Sequence, residues 1–279
     1  MLEIKDIAVF NEKVKAFTGA YPEMVTNCFL MPSEIIALAA EGRLFIEEFP
    51  EWLLILCDRE DYSNLYYYTT DTSDVAFVKQ FMKNTCGREV YMDAVSRMGR
   101  GDSETPKRLV KEGAAERYKT YQRMQLPVKN IDFDSFSFSV PVGYTVSTDY
   151  CDYEKLTALW KETLDEKSTP LPKQEELFRL REEENLFTVL NNHGELAAVL
   201  ILSVSSKQGL IQHIAVSSEE RRKGLAANLM KKSFFAAREK GLTMLRLWVD
   251  CKNTAAITLY DRFDFKQDGM ICEQLYMKG

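Results

Sequence analysis

Between Leu210 and Val249 the chain writes a strand, a turn, a helix and a second strand in unbroken succession. "LIQHIAV" is short and apolar. "LAANLMKKSFFAAREK" repeats its apolar positions at helical spacing and stops at Gly241, a natural residue for the left-handed turn that follows a helix. "LTMLRLWV" is strand-like again. A helix so placed is a crossover within one sheet. The turn that opens it carries Arg221, Arg222 and Lys223 in a row, then Gly224 and the small Ala226.

The rest of the second half surrounds this unit in order. "VGYTVSTDY" reads as a strand, and "YEKLTALWKETLDE" as a helix with Leu156, Leu159, Trp160 and Leu164 on one face. "KQEELFRLREEE" is a short helix. "LFTVLN" and "ELAAVLILSVS" are strands joined at Asn192-His193-Gly194, a hairpin turn. "NTAAITLYDRF" is a helix starting near Asn253, and "FKQDGMICEQLYM" closes as a strand or hairpin. Hairpins beside a crossover helix predict an α/β fold with a mixed sheet.

The first half repeats the order. "LFIEEFPEWLLILCDREDYSNLYYYTT" gives three strands, then come a helix in "SDVAFVKQFMKN", a strand in "REVYMDAVS", a helix in "PKRLVKEGA" and a closing run "AERYKTYQRMQL". This predicts an internal duplication of units of roughly 130 residues, the size of one domain. Pro127 and Pro141 bar a helix through "PVKNIDFDSFSFSVPVGY". The expected domains are residues 1–131 and 132–279.

Composition narrows the function. With 279 residues, 46% of them hydrophobic, the chain can bury a core. A net charge of -6 gives no general attraction to nucleic acid or to an anionic membrane. No apolar run has the length of a membrane span, and "MLEIKDIAVFNEKVKAF" does not read as a signal peptide. The six cysteines form no C-x-x-C pair, and His193 and His213 are the only histidines. No metal site is expected, and the cysteines read as the reduced side chains of a cytoplasmic protein.

The basic turn has a chemical reading of its own. A helix N-terminus offers unpaired N–H groups and partial positive charge, Gly224 lets a ligand come close, and three cations stand beside it. Together they form a phosphate cradle. The bland alternative is a solvated basic turn. The dinucleotide fingerprint and the Walker loop do not fit its spacing.

Two motifs decide between these. "IQHIAVSSEERRKGLAANLM" resembles the central motif of the GNAT acyltransferase superfamily, a strand, a short acidic loop and R/Q-x-x-G-x-G/A opening a helix; Arg221, Gly224 and Ala226 fill it. "NTAAITLYDRFDF" resembles the family's N-x-x-A-x-x-L-Y-x-x-x-G-F, with Asn253, Ala256, Leu259, Tyr260 and Phe265 in place and Asp264 where glycine is usual. Aspartate tolerates left-handed backbone better than most residues. The resemblance covers about residues 142 to 278.

It implies tandem GNAT-like domains, each a mixed, mainly antiparallel twisted sheet with helices on both faces. It also implies acetyl-coenzyme A as co-substrate. The pyrophosphate would lie on the N–H groups of the loop Arg221, Arg222, Lys223, Gly224, Leu225 and Ala226, the pantetheine arm would run along the strand end at Ile214, Ala215 and Val216, and the thioester would reach the gap where neighbouring strands splay apart. Asn253 and Ala256 would complete the cofactor site. The expected activity is N-acetyl transfer to a small-molecule or peptide amine. Tyr260 would protonate the leaving thiolate and the Val216 N–H would polarise the carbonyl. The base is either Asp250 acting through water, or none, the amine arriving neutral. Strand alternation sets His213 on the face opposite Gln212, as a packed residue.

The first half has no R-x-x-G-x-A, and Asp74 stands where a phosphate would sit. Residues 1–131 are therefore expected to be a degenerate copy that binds no coenzyme A and shapes the acceptor cleft. Two other functions stay open: a non-catalytic acyl-coenzyme A sensor or scaffold, and an aminoacyl transferase using charged tRNA, which the acidic charge disfavours.

Overall fold

The computed structural model describes residues 1–70, 72–85, 87–97, 104–134 and 140–278. Residues 135–139, part of the expected linker, lie outside the described residues. The chain runs β1 (Leu2–Glu3), α1 (Ile7–Ala20), β2 (Val25–Thr26), α2 (Pro32–Ala40), β3 (Leu44–Phe49), β4 (Trp52–Asp58), β5 (Ser63–Thr69), α3 (Ala76–Lys83), β6 (Glu89–Arg97), α4 (Thr105–Lys111) and β7 (Glu116–Pro127). It continues β8 (Tyr144–Ser147), α5 (Tyr153–Thr163), α6 (Gln174–Glu182), β9 (Leu186–Asn191), β10 (Leu196–Ser205), β11 (Gln208–Val216), α7 (Leu225–Glu239), β12 (Met244–Asp250), α8 (Thr254–Asp261) and β13 (Lys266–Lys278).

Two compact units result, Met1–Tyr121 with Gly269–Gly279, and Gln122–Asp268. The division differs from the expected one at residues 131 and 132 in two ways. Val128 and Ile131 pack into the core of the second unit, and Val128 N–H donates to Thr243 O at 3.0 Å. The last strand returns to the first unit, where Met270 faces Arg97 and Lys278 faces Glu89 across β6.

In the first unit the strands lie in the order β1-β3-β4-β5-β6-β13, with β2 on β5. Among the described residues of this unit, β5 and β6 pair parallel, and β1 with β3, β3 with β4, β4 with β5, β2 with β5 and β6 with β13 pair antiparallel. Alternation along β4 builds the two layers. Trp52, Leu54 and Leu56 face α3 and α4 residues such as Phe81 and Leu109, while Leu53, Ile55 and Cys57 face Phe10, Phe17 and Leu38 of α1 and α2. The helices α1 and α2 are additions to the strand order read from the sequence. Asp6 caps α1, its Oδ1 accepting from Ala8 and Val9 N–H at 2.8 and 3.0 Å.

The second unit orders its strands β7-β12-β11-β10-β9-β8, where β7 contributes its part from Gln122 onward. Along β10, Ala198, Leu200 and Leu202 face Leu225, Leu229 and Phe234 of α7. Val199 and Ile201 face Leu156, Trp160 and Leu177 of α5 and α6. Helices thus cover both faces of each mixed sheet.

Candidate active site

The strands β11 and β12 begin as parallel neighbours, Gln208–Leu210 against Met244–Arg246. Both run on, to Val216 and Asp250, with no further pair among the described residues. A wedge opens between them. On its other edge β11 stays bonded to β10, but the register slips: Val199 faces Ala215 while Ile201 faces Gln212, so His213 and Ile214 together oppose Leu200. His213 takes φ 54°, the left-handed residue of a β-bulge.

Beyond the bulge the backbone direction follows from the ladder. Ser217 N–H donates to Ala197 O at 2.9 Å. Hydrogen-bonded pairs alternate along an antiparallel ladder. Val216, opposite Ala198, therefore turns its own N–H and C=O away from β10 and into the wedge. Ala215 turns its backbone to β10 and its side chain into the core under α5.

The bulge corrects the face assigned to His213, because alternation cannot be counted through it, while its packed role agrees with the expectation. The His213 ring lies 5.5 Å from the Trp160 ring, and its carbonyl accepts from Trp160 Nε1 at 3.0 Å. Its Nε2 is 2.9 Å from Pro170 O, so Nε2 carries the hydrogen. Its Nδ1 is buried without a partner. Burial pushes the imidazole pKa down, against the weaker upward pull of the Pro170 carbonyl. This is a packed, neutral histidine.

After β11 come a single 3-10 turn, Ser218–Glu220, and then α7. Arg222 and Gly224 take φ 64° and 79°. Gly224 precedes α7 without a side-chain cap. Among the described residues nothing accepts from the backbone N–H groups of Arg222 through Ala227. A Cβ at Gly224 would meet only Asn228 Nδ2, at 4.0 Å, so the space above the helix end is open. Unpaired donors, the helix dipole and open space are what an anion seat requires.

The cations differ in how they are held. Arg221 Nε reaches Val216 O at 3.5 Å. Lys223 Nζ donates to Glu220 Oε2 at 2.5 Å, and Tyr144 OH donates to the same oxygen at 2.5 Å. Lys223 first, then Tyr144, hold the Glu220 carboxyl below its ordinary range. Glu162 Oε1 accepts from Ser218 N–H at 3.2 Å and is likewise lowered, chiefly by Ser218. Tyr144 and Glu162 brace the loop from β8 and α5. No local signal in the sequence marks them.

On the far wall, Asp250 Oδ1 accepts from Lys252 N–H at 2.9 Å, closing the turn into α8. Asn253 caps that helix, its Oδ1 accepting from Ala256 N–H at 3.0 Å. Tyr260 sits near the end of α8. Burial pushes its phenol up to about 12, and no described residue forms a hydrogen bond to it. Asp264 takes φ 61°, which lets Phe265 N–H return to Tyr260 O at 3.1 Å. Ile214, Val216, Leu225, Ala256 and Tyr260 share one core cluster. The structure thus brings the wedge, the loop and the tyrosine helix onto one core. Asp250 and Asn253 hold the turn beside it.

A parallel pair that parts into a wedge, with a basic loop at a helix end beside it, defines the class as an α/β fold of mixed sheet and crossover helix. More particularly, residues 153–265 match the model of the Acetyltransferase (GNAT) family. No curated protein matches the sequence. Among solved structures, a GCN5-related N-acetyltransferase from Sphaerobacter thermophilus is similar at TM-score 0.62 and 14% identity, over 82% of this chain and 76% of that one. A tandem GNAT protein from the clavulanic acid biosynthesis pathway is similar at TM-score 0.56 and 13% identity, over 81% and 78%. A GCN5-related N-acetyltransferase from Kribbella flavida is similar at TM-score 0.55 and 14% identity, over 90% and 97%. At such identities the likeness is one of fold. Among the described residues no helix is long and apolar enough to cross a membrane.

Proposed function

We propose that the Gln122–Asp268 unit transfers an acetyl group from acetyl-coenzyme A to the amine of a small molecule or peptide. The observation that carries this reading is the run of unpaired N–H groups at Arg222–Ala227, beside an open Gly224 and next to a strand edge left bare by the wedge. The loop would hold the pyrophosphate, and the edge of β11 at Ile214 and Val216 would hold the pantetheine arm. When bound, acetyl-coenzyme A supplies an activated thioester. Val216 N–H would face the acyl oxygen and stabilise charge developing there. Tyr260, whose raised pKa keeps it protonated at neutral pH, would give its proton to the departing sulfur. Asp250 has Oδ1 engaged with Lys252, which leaves Oδ2 to take the amine proton through water. Asn253 and Ala256 serve the site by fixing the start of α8.

One observation favours a second reading. With Asp250 tied into a turn and His213 Nδ1 sealed in the core, no side chain among the described residues stands out as a base. A non-catalytic acyl-coenzyme A sensor needs none. Steady-state release of free coenzyme A with a panel of amines separates the two.

The cradle is tested by Gly224→Glu, with Gly224→Ala as control. Both variants bear the cost of a left-handed side chain, about 1–2 kcal/mol. Only glutamate also fills the anion seat with like charge. Calorimetry should show coenzyme A affinity falling by about 100-fold or more in Gly224→Glu, a loss near 3 kcal/mol, and much less in Gly224→Ala. Unchanged affinity in a folded Gly224→Glu protein would refute the cradle.

A further inference from the structure

The N-terminal unit opens a wedge of the same construction. The strands β5 and β6 begin as parallel neighbours at Ser63–Val90 and Asn64–Tyr91, then part. Here the chain itself fills the gap. β2 lies antiparallel on β5, Val25 facing Thr69 and Thr26 facing Tyr68. Thr26 Oγ1 donates to Tyr67 O at 2.6 Å. The next residue, Asn27, is 2% exposed and bridges both walls. Its Oδ1 accepts from Tyr67 N–H at 2.7 Å. Its Nδ2 donates to Leu65 O at 3.3 Å and, on the opposite strand, to Asp93 O at 3.0 Å.

Tyr67 thus has both its backbone N–H and its C=O engaged by this segment. In the C-terminal unit the corresponding inward-facing groups, those of Val216, meet no strand. A carboxamide that accepts from one strand and donates to carbonyls on both walls performs the hydrogen bonding that the amides of a pantetheine arm would perform. We propose that Val25–Asn27 is a resident occupant of the N-terminal wedge, a segment of the chain standing in for an extended ligand and closing that unit to acyl-coenzyme A. Withdrawing Asn27 would strand Tyr67 N–H and the Leu65 and Asp93 carbonyls in the interior, which keeps the occupant in place. The end of the neighbouring helix agrees: Asp74 Oδ1 already accepts from Ala76 N–H at 2.8 Å, putting a carboxylate at the start of α3. The comparison with pantetheine rests on the function proposed above; the occupancy itself does not.

Amide hydrogen exchange on the full chain, with and without saturating coenzyme A, tests this. In the wild-type protein the Tyr67 amide should be protected to the same degree as the β4 amides of Leu54 and Ile55, and coenzyme A should not change it. Asn27→Ala should speed Tyr67 exchange by at least ~10-fold while β4 stays within about twofold. Fast Tyr67 exchange in the wild type, slowing by coenzyme A, or no effect of Asn27→Ala in a folded protein overturns the proposal. Should Asn27→Ala also lose β4 protection, the pair of wild-type measurements still decides. Failure of the Gly224→Glu test bears on the C-terminal cradle alone and leaves these outcomes unchanged.

Discussion

At the scale of single residues, Tyr260 separates catalysis from packing. Its ring packs 6.1 Å from Phe265 and its hydroxyl forms no hydrogen bond to a described residue. Tyr260→Phe removes one oxygen and leaves the ring, so the fold and the affinity for acetyl-coenzyme A should hardly change. If the phenol protonates the leaving thiolate, turnover should fall by on the order of 10²-fold, or about 3 kcal/mol of barrier. The loss should appear in kcat more than in KM. Slow hydrolysis of acetyl-coenzyme A serves as the assay until an acceptor is known, and a phenylalanine variant near the wild-type rate leaves Tyr260 a packing residue. Residues of this kind were legible because their demands are local. Gly224, Gly241 and Asp264 all take left-handed backbone, at φ 79°, 64° and 61°, and glycine or aspartate at such points can be read from the letters alone. The backbone and face of His213 were not legible, although its packing was. Its φ of 54° comes from a register slip against β10, and a slip between strands leaves no mark in one strand's composition.

At the scale of elements, the site is a consequence of two strands that part. The sequence shows that β11 and β12 flank a crossover helix. It does not show that they pair only at Gln208–Leu210, because divergence depends on the twist and on the bulge on the other edge. The same limit applies to Asn253. Its position in the family motif points to the cofactor, while its Oδ1 caps α8 through Ala256 N–H. Asn253→Ala tests which role dominates. Loss of the cap should cost about 1 kcal/mol, within a range of roughly 0.5–2, in denaturant melts of the full chain. Coenzyme A affinity should stay within about twofold, since the helix still presents Tyr260. A fall in affinity much larger than the fall in stability would assign Asn253 to the cofactor site directly. The helices α1 and α2 are not legible from the duplication for a different reason: they precede the repeated strand order and have no counterpart in it, although Phe10 and Phe17 are core residues under the Asp6 cap.

At the scale of the whole molecule, the duplication is visible in the order of elements, but the division of the chain is not. The strand β13 looks like the end of the second half, and its buried Leu275 and Met277 mark it as a core strand. Its partners are distant in sequence. Gln274 Nε2 donates to Asp93 Oδ1 at 2.9 Å, Glu273 pairs with Arg117 at 3.0 Å, and Leu275 and Met277 enter the core formed by Trp52, Phe81 and Val90. Ending the chain after Asp268 should therefore injure the unit at the other end of the sequence. Exposing Leu275 and Met277's places in that core loses on the order of 5 kcal/mol of apolar burial, a large share of the stability of one domain. Hydrogen exchange should show the β4 amides losing protection while those of α7 keep it, and coenzyme A should still bind. Supplying the strand in a new place should repair the damage: a chain of residues 1–121 joined through a flexible linker to 269–279 should melt cooperatively, whereas residues 1–131 alone should not. If the truncated chain instead melts in one transition at the wild-type temperature, β13 is dispensable to the first unit, and the boundary at residue 131 is the better description of how this chain folds.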